Sequence, residues 1–301
     1  MNVLVSGASG LIGTALRQAL TDRGDTVVRL VRRRTTGEGE VRWDPDAGTV
    51  DMDTLDRSGP IGAVVNLSGA GIGDHRWNSA RRDEILHSRT AATATIAGLT
   101  TELDPPPSVF ASGSAVGFYG NRGGDVVDEA SPRGEGFLAD VCAAWEEAAS
   151  PVEDAGIRTV LLRSGIVLST RGGALAKQLP LFRVGLGGRL GSGRQYMSWI
   201  TLEDEVAAIL HVLDDGGCAG PVNLTAPAPV TNAEMTRALG RALHRPAGLT
   251  VPSAALRLAF GGQMAEELLL GGQRVVPEAL TRRDFAFRHP ELDAALAAVL
   301  R

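Results

Sequence analysis

A glycine-punctuated turn joins a short apolar run to an amphipathic stretch at the start of this chain. Residues 2–6 read Asn-Val-Leu-Val-Ser, residues 7–13 read Gly-Ala-Ser-Gly-Leu-Ile-Gly, and residues 11–23 carry apolar side chains at helical spacing. This order predicts a buried strand, a tight turn and an amphipathic helix. Such a unit is typical of proteins that bind the diphosphate of a dinucleotide.

Each glycine of this turn is expected to meet a different steric demand. Gly7 allows the sharp turn after the strand, Gly10 lets the backbone approach a pyrophosphate, and Gly13 lets the helix lie close to the sheet. Unpaired N–H groups and the positive end of the helix dipole then face the phosphates. The cofactor-binding residues predicted in this turn are Gly7, Ser9, Gly10, Leu11, Ile12 and Gly13.

Strands and helices alternate over the first 165 residues. The apolar runs predicted as strands are 26–31, 63–67, 108–112 and 159–162, and the helical patterns predicted between them include 79–99 and 137–155. Alternation of this kind predicts an α/β fold with a doubly wound, parallel sheet of Rossmann type.

The composition of the chain changes after residue 165. Residues 168–200 are rich in glycine and predict a loop-rich excursion that contributes to the cleft. Beyond residue 226, prolines stand between short helical segments, of which 253–270 and 290–300 are the clearest. We therefore predict a dinucleotide-binding Rossmann domain over 1–225 and a smaller, mostly helical substrate-binding or cap lobe over 226–301.

Composition excludes several classes of partner. The 301 residues are 44% hydrophobic and 22% charged, with a formal net charge of −5, which predicts a globular protein that binds neither nucleic acid nor a membrane. Two cysteines, Cys142 and Cys218, cannot build a disulfide framework, so a cytoplasmic location is expected. The five histidines are scattered, and no metal site is predicted.

The residues that follow the second predicted strand indicate which dinucleotide binds. An acidic residue about 20 positions after the glycine turn would accept hydrogen bonds from the ribose 2′-hydroxyl of NAD. This chain instead has Arg32, Arg33 and Arg34 there. Because a guanidinium suits a 2′-phosphate, we predict NADP(H) as the cofactor and Arg32 as its ligand. The alternative is that these arginines form a solvated basic turn.

Three further sequence segments, taken together with the glycine turn, are typical of one protein family. They are Asn66-Leu67-Ser68-Gly69, the segment 112–120 and the stretch 197–204. Together they resemble the extended short-chain dehydrogenase/reductases, the NAD(P)-dependent epimerases and dehydratases. The chain is most similar to the atypical branch called epimerase family proteins, which carries a C-terminal domain of unknown function. The marks of that branch are Arg76-Trp77, Ser88-Arg89, Phe137-Leu138-Ala139, Cys142, Trp145-Glu146, residues 191–195 and residues 272–275.

The chain lacks the catalytic pair that this resemblance would imply. In the superfamily, a Tyr-x-x-x-Lys pair supplies the proton donor and binds the ribose, and its two positions correspond to Leu138 and Cys142 here. The only lysine is Lys177, and the only tyrosines are Tyr119 and Tyr196, so the pair occurs nowhere in the chain.

The resemblance implies several other site residues. Ser114 would orient a substrate oxygen, or else cap the end of its strand, and Tyr119 would act as an acid or line the pocket. Cys142 is either a reactive thiol or a small core residue. The remaining cofactor-binding predictions are Leu67, Ser68, Gly69, Ser112, Ser164 and Gly165. The substrate-binding predictions are Arg76, Trp77, Gln195 and Ser198, and Arg76 and Arg194 either bind an anionic substrate or are solvated surface arginines.

Three functions fit these features to different degrees. The first is an NADP(H)-dependent oxidoreductase or epimerase that acts on a small polar carbonyl or hydroxyl compound. The second is a protein that binds NADP(H) without turnover, as a redox sensor or an interaction scaffold. The third, a nucleotide-sugar epimerase, is the weakest because it needs the missing tyrosine. The expected assembly is a monomer or a homodimer.

Overall fold

The computed structural model describes residues 1–301 and contains sixteen strands and twelve α-helices. The strands are β1 (Asn2–Ser6), β2 (Thr26–Val31), β3 (Glu40–Asp44), β4 (Thr49–Val50), β5 (Ala63–Asn66), β6 (Phe110–Ala115), β7 (Val126–Val127), β8 (Thr159–Ser164), β9 (Ile166–Leu168), β10 (Gly188–Leu190), β11 (Tyr196–Met197), β12 (Trp199–Thr201), β13 (Gly220–Leu224), β14 (Val230–Thr231), β15 (Leu249–Val251) and β16 (Arg274–Val275). The helices are α1 (Leu11–Asp22), α2 (Met52–Asp56), α3 (Ser79–Glu102), α4 (Phe137–Glu147), α5 (Ser150–Asp154), α6 (Gly173–Arg183), α7 (Leu202–Asp214), α8 (Asn232–Ala242), α9 (Ser253–Phe260), α10 (Gly262–Ala265), α11 (Glu278–Thr281) and α12 (Leu292–Val299). A 3₁₀ turn at Val116–Tyr119 and a π-helical turn at Glu266–Leu270 complete the set.

Eight strands form the main sheet in the order β13-β8-β6-β5-β1-β2-β3-β4. All neighbours in this sheet run parallel except β3 and β4, which are antiparallel. The chain leaves β1 outward through β2 and β3, and then returns to the other side of β1 through β5. The strand order therefore reverses between β1 and β5, and ligands of open α/β sheets bind at the carboxyl ends of such strands.

Helices cover both faces of this sheet, which confirms the predicted doubly wound architecture. The pair α1 and α7 packs on one face, and α3 packs with α4 and α5 on the other. In β1, Val3 and Val5 belong to the core under α1 and α7, whereas Leu4 belongs to the core under α3. All three side chains are fully buried, which explains why the strand is a continuous apolar run rather than an alternating one.

A further core joins the region after residue 168 to the last helices of the chain. Leu175 and Phe182 of α6 share this core with Met235 of α8, Leu296 of α12 and the fully buried Trp199. The glycine-rich stretch therefore contains a helix that packs on the C-terminal lobe. The boundary between 225 and 226 stays a prediction, because Leu280 of α11 packs against the core of the main sheet.

Two long helical predictions are interrupted in the structure. The pattern over 137–155 forms α4 and α5 instead, and Pro151 lies in the first turn of α5, where its missing N–H is tolerated. The pattern over 253–270 is interrupted at Gly261, whose φ of 88° lies in the left-handed region. No helix in the chain combines the length and the apolar character that crossing a membrane requires.

Candidate functional site

The glycine turn after β1 is packed so tightly that two of its positions have no room for a side chain. Gly7 has a φ of +67°, and a Cβ atom there would lie 2.5 Å from the carbonyl oxygen of Leu67. A Cβ atom on Gly13 would lie 2.2 Å from the carbonyl oxygen of Gly7. Both distances are shorter than any normal contact, so the turn, the loop after β5 and the first turn of α1 hold one another in place.

The first turn of α1 leaves donors without partners at the exposed side of this turn. Gly10 precedes the helix and has no side chain to cap it, and the first turn contains no acidic residue. The N–H groups of Leu11 and Ile12 make no hydrogen bond within the chain. Because free N–H groups and the helix dipole both favour negative charge, this turn has the local chemistry of an anion site.

The loop after β5 is held against the glycine turn by a buried amide. Asn66 is fully buried, and its side-chain oxygen accepts hydrogen bonds from Ser6 Oγ at 2.7 Å and from the Ser68 N–H at 3.2 Å. Its amide nitrogen donates to Thr93 Oγ1 at 2.8 Å and to Ser112 Oγ at 3.4 Å. Leu67, Ser68 and Gly69 therefore lie beside the turn, whereas the predicted cofactor ligand Ser112 has a fully buried side chain.

The three arginines after β2 are in different environments. Arg33 forms a two-pronged ion pair with Glu40, with distances of 2.8 Å and 2.5 Å. Hydrogen bonds from Arg33 and from the Thr36 N–H lower the pKa of Glu40 to about 2. Arg32 is exposed at the carboxyl end of β2, and its side chain makes no hydrogen bond or ion pair. The side chain of Arg34 is likewise exposed and makes no hydrogen bond or ion pair, so Arg32 and Arg34 both remain available, and Arg32 is the one that directly follows β2.

Ser114 lies at the carboxyl end of β6 in a network of charged groups. Its hydroxyl donates to Glu146 Oε1 at 2.6 Å, and Arg163 donates to both oxygens of the same carboxylate at 2.8 Å. The guanidinium of Arg163 also lies 3.6 Å from the ring centre of Phe118. In this pairing with a guanidinium the carboxylate oxygens are hydrogen-bond acceptors, and the Ser114 hydroxyl directs its proton to Glu146.

Tyr119 does not face a cleft, although the sequence suggested an acid or lining role for it. The side chain is fully buried, its hydroxyl donates to Asn223 Oδ1 at 2.7 Å, and it accepts from Arg163 at 3.0 Å. Burial raises the pKa of this hydroxyl. Its position gives no support to the role of proton donor, and instead Tyr119 ties the 3₁₀ turn after β6 to β13.

Cys142 of α4 is a core residue in this structure. It is 4% exposed, and burial raises the pKa of its thiol to about 12. A reactive cysteine needs the opposite shift, because only the thiolate is a good nucleophile. The packing therefore favours the reading of Cys142 as a small apolar residue.

The predicted substrate-binding residues fall into two groups. Arg76 is exposed and unpaired beside Gly261, and Trp77 packs edge-on against Phe137 at 5.0 Å while donating to the Ile72 carbonyl at 2.8 Å. Gln195 and Ser198, by contrast, hydrogen-bond to backbone groups of the C-terminal lobe, and Gln195 also donates to the Leu190 carbonyl. Arg76 and Trp77 therefore lie where the loop after β5 meets that lobe, and the other two side chains fasten the lobe to the sheet.

Sequence reasoning missed Glu205, a buried acid in the first turn of α7. It is fully buried, it accepts a hydrogen bond from Ser164 Oγ at 2.5 Å, and its second oxygen has no partner. Burial raises its pKa to about 8. Glu205 follows Glu203 and Asp204 at the start of α7, and nothing in this local run of acidic residues indicates burial. The predicted ligand Ser164 is engaged by this acid, and Gly165 next to it packs against the Ser198 carbonyl, to which a Cβ atom would come within 2.6 Å.

The fold, the glycine turn and the reversal of strand order define a Rossmann-type dinucleotide-binding protein. The model of the NAD dependent epimerase/dehydratase family matches residues 3–224, and that of a domain of unknown function, DUF1731, matches residues 251–299. The chain belongs to the NAD dependent epimerase/dehydratase family, as the sequence resemblance predicted.

Several relatives match along the whole chain. An epimerase family protein of Mycobacterium bovis is 48% identical over 98% of this chain and 96% of its own. The crystal structure of the human epimerase family protein SDR39U1 with NADPH is 37% identical, with a TM-score of 0.90 over 99% of both chains. A nucleoside-diphosphate sugar epimerase of Corynebacterium glutamicum is 35% identical, with a TM-score of 0.80 over 100% of this chain and 58% of its own.

Proposed function

We propose that this protein binds NADP(H) across the carboxyl ends of β2, β1 and β5 and uses it in an oxidation–reduction reaction on a small polar compound. The proposal rests on one observation about the glycine turn. Backbone atoms fill the space next to Gly7 and Gly13, and the first N–H groups of α1 beside them are unpaired. The presence of NADPH in the human relative, at 37% identity over 99% of both chains, supports the choice of cofactor.

Arg32 is the group that would select the phosphorylated cofactor. Replacing it by alanine is expected to weaken NADPH binding by about 1–3 kcal/mol, the contribution of a charge-assisted hydrogen bond. Affinity for NADH, which lacks the 2′-phosphate, should stay within about twofold, and titration calorimetry measures both. An Arg32→Ala variant that binds NADPH as tightly as the parent protein would show that the basic turn is only solvated.

The bound cofactor would supply or accept a hydride. The residues of this chain would bind and orient the substrate, and Ser114 is the side chain best placed to do so at the end of β6. Because its proton is donated to Glu146, Ser114 offers only lone pairs to a ligand. We therefore infer that it binds a substrate group that donates a hydrogen bond, such as a hydroxyl. On oxidation of that hydroxyl, its proton would pass by way of Ser114 Oγ towards Glu146 Oε1.

A Ser114→Ala variant tests this role. It should bind NADPH with unchanged affinity, because Ser114 is placed to meet the substrate, but should lose about 10- to 100-fold in turnover of a hydroxyl compound. The assay is NADP⁺ reduction over a panel of small alcohols, followed by the absorbance of NADPH. Full turnover in the variant would remove Ser114 from the substrate site and leave it as the cap of a strand end.

A specific group of observations favours a second function, the binding of NADP(H) without turnover. The Tyr-x-x-x-Lys pair is missing, Tyr119 is buried with its hydroxyl engaged, and Cys142 lacks an activated thiol. Tight NADPH binding combined with no reaction over the alcohol and carbonyl panels would support this alternative. Turnover of any member of the panel that depends on Ser114 would support the first.

A further inference from the structure

Lys177, the only lysine of the chain, connects α6 to the loop after β5. Its Nζ atom donates to Asp74 Oδ1 and to the Gly73 carbonyl, both at 2.8 Å. The hydrogen bond from Lys177 lowers the pKa of the Asp74 carboxyl, so the two side chains form an ion pair at neutral pH. Because the two residues lie 103 positions apart in the chain, this contact fastens together two distant segments.

Both segments also touch the glycine turn. The loop after β5 begins at Leu67, whose carbonyl oxygen packs against Gly7. Cβ atoms at Gly172 and Gly173, where α6 begins, would lie 3.6 Å and 3.5 Å from the side chain of Leu11, which is ordinary van der Waals contact. The two segments therefore leave the glycine turn separately and meet again at Lys177.

These contacts close a ring of chain beside the first turn of α1. The ring runs from the glycine turn along the loop after β5 to Asp74, across the ion pair to Lys177, and back along α6 to Leu11. Leu11 carries one of the two unpaired N–H groups at which the diphosphate of the proposed cofactor would bind. The other links of the ring are covalent chain and close packing, whereas the side chains of Lys177 and Asp74 are 56% and 52% exposed. The ion pair is therefore the link that opens most easily.

We propose that the Lys177–Asp74 ion pair is a gate through which NADP(H) passes to reach and to leave the glycine turn. The inference rests on the proposed function, since it takes NADP(H) as the ligand. The pair forms between side chains of the chain itself and needs no ligand atom, so it closes the ring both before and after the cofactor binds. Such a gate slows entry and exit by the same factor and leaves the affinity unchanged.

Two single variants, Lys177→Met and Asp74→Ala, each remove the ion pair. Because an exposed pair contributes little free energy, each variant should raise both the association and the dissociation rate constant of NADPH by about two- to fivefold. The Kd should stay within about twofold of that of the parent protein. Stopped-flow fluorescence of NADPH measures association, and a chase with excess NADP⁺ measures dissociation.

A charge-exchanged variant separates a gate from a structural role of either residue. Lys177→Asp combined with Asp74→Lys restores an ion pair across the ring and should return both rate constants to within about twofold of the parent values. Arg241→Met is the matched control, because Arg241 makes a similarly exposed ion pair with Asp293 at 2.7 Å outside the ring. Both rate constants should be unchanged in this control.

Three results would overturn the gate. The first is that neither single variant changes the rate constants. The second is faster dissociation with unchanged association, and hence weaker affinity, because Lys177 would then be a direct ligand of the cofactor. The third is an equal acceleration in Arg241→Met, which would make the effect a general one of surface charge. Failure of the parent protein to bind NADPH is a different result, which would overturn the proposed function and the gate with it.

Discussion

A Gly13→Ala substitution is expected to abolish measurable NADPH binding. The new Cβ atom would lie 2.2 Å from the Gly7 carbonyl oxygen and 2.8 Å from the Ala8 Cα, both of which are backbone atoms. Neither can move without displacing the turn, so the N–H groups of α1 would leave the positions in which a diphosphate meets them. We expect the affinity for NADPH to fall by more than about 100-fold, as measured by calorimetry.

Gly98 offers a matched control for this substitution. It also lies inside a helix, α3, and a Cβ atom there would meet nothing within 4 Å. Gly98→Ala should therefore leave NADPH binding unchanged and raise the free energy of unfolding by about 0.5–1 kcal/mol, the difference in helix propensity. In Gly13→Ala the same gain in the free energy of unfolding would be offset by a loss of about 1–3 kcal/mol from overpacking. Similar NADPH affinities in the two variants would show that the turn is not the phosphate site.

A Glu205→Gln substitution is expected to change how stability depends on pH. Burial holds the pKa of Glu205 at about 8 in the folded protein, whereas the unfolded chain ionises near the ordinary value of 4.5. Between these values the folded state keeps a proton that the unfolded state has lost, so the contribution of this group to stability falls as pH rises from 4.5 through 8. The full effect is on the order of 5 kcal/mol. Glutamine keeps the shape and cannot ionise, so the variant should avoid this loss.

The measurement is the free energy of unfolding in urea at several pH values for the parent protein and the variant. The advantage of Glu205→Gln over the parent should grow from pH 5 to pH 8 and then level off. Glu203→Gln is the control, because Glu203 lies two residues earlier in the first turn of the same helix, with an exposed side chain paired to Arg288 and His289. If the free energy of unfolding changed with pH in the same way in Glu205→Gln and in the parent protein, Glu205 would not be a buried acid that stays neutral in the folded state.

The main sheet was largely predictable because its strands are buried on both faces. Such strands form continuous apolar runs, and β1 and β2 begin and end at the predicted residues. Strand β3, which lies between β2 and the edge strand β4, escaped prediction because only Val41 and Trp43 of its five residues are apolar, and the charged Arg42 separates them. Its first residue, Glu40, is nevertheless the group that binds Arg33 and leaves the side chains of Arg32 and Arg34 unpaired.

Contacts between distant segments decided the features of the site that the sequence did not indicate. Tyr119 looks like a pocket residue in the chain, yet its hydroxyl meets Asn223, more than 100 positions away, and is buried there. The Ser114 proton is directed by Glu146 of α4, a helix whose local pattern indicates only packing. Neither side chain reveals its orientation in sequence, because hydrogen-bond direction depends on partners that only the fold brings close.

The sequence by itself determined the family, the Rossmann-type sheet and the glycine turn, because each depends on local steric rules and on residues that are neighbours in the chain. The absence of the Tyr-x-x-x-Lys pair was equally certain from composition. Only the tertiary structure decided that Glu205 is buried and that the Ser114 hydroxyl donates its hydrogen bond to Glu146. The reason is physical: burial and charge pairing are properties of the surroundings, and those surroundings come from segments far apart in the chain.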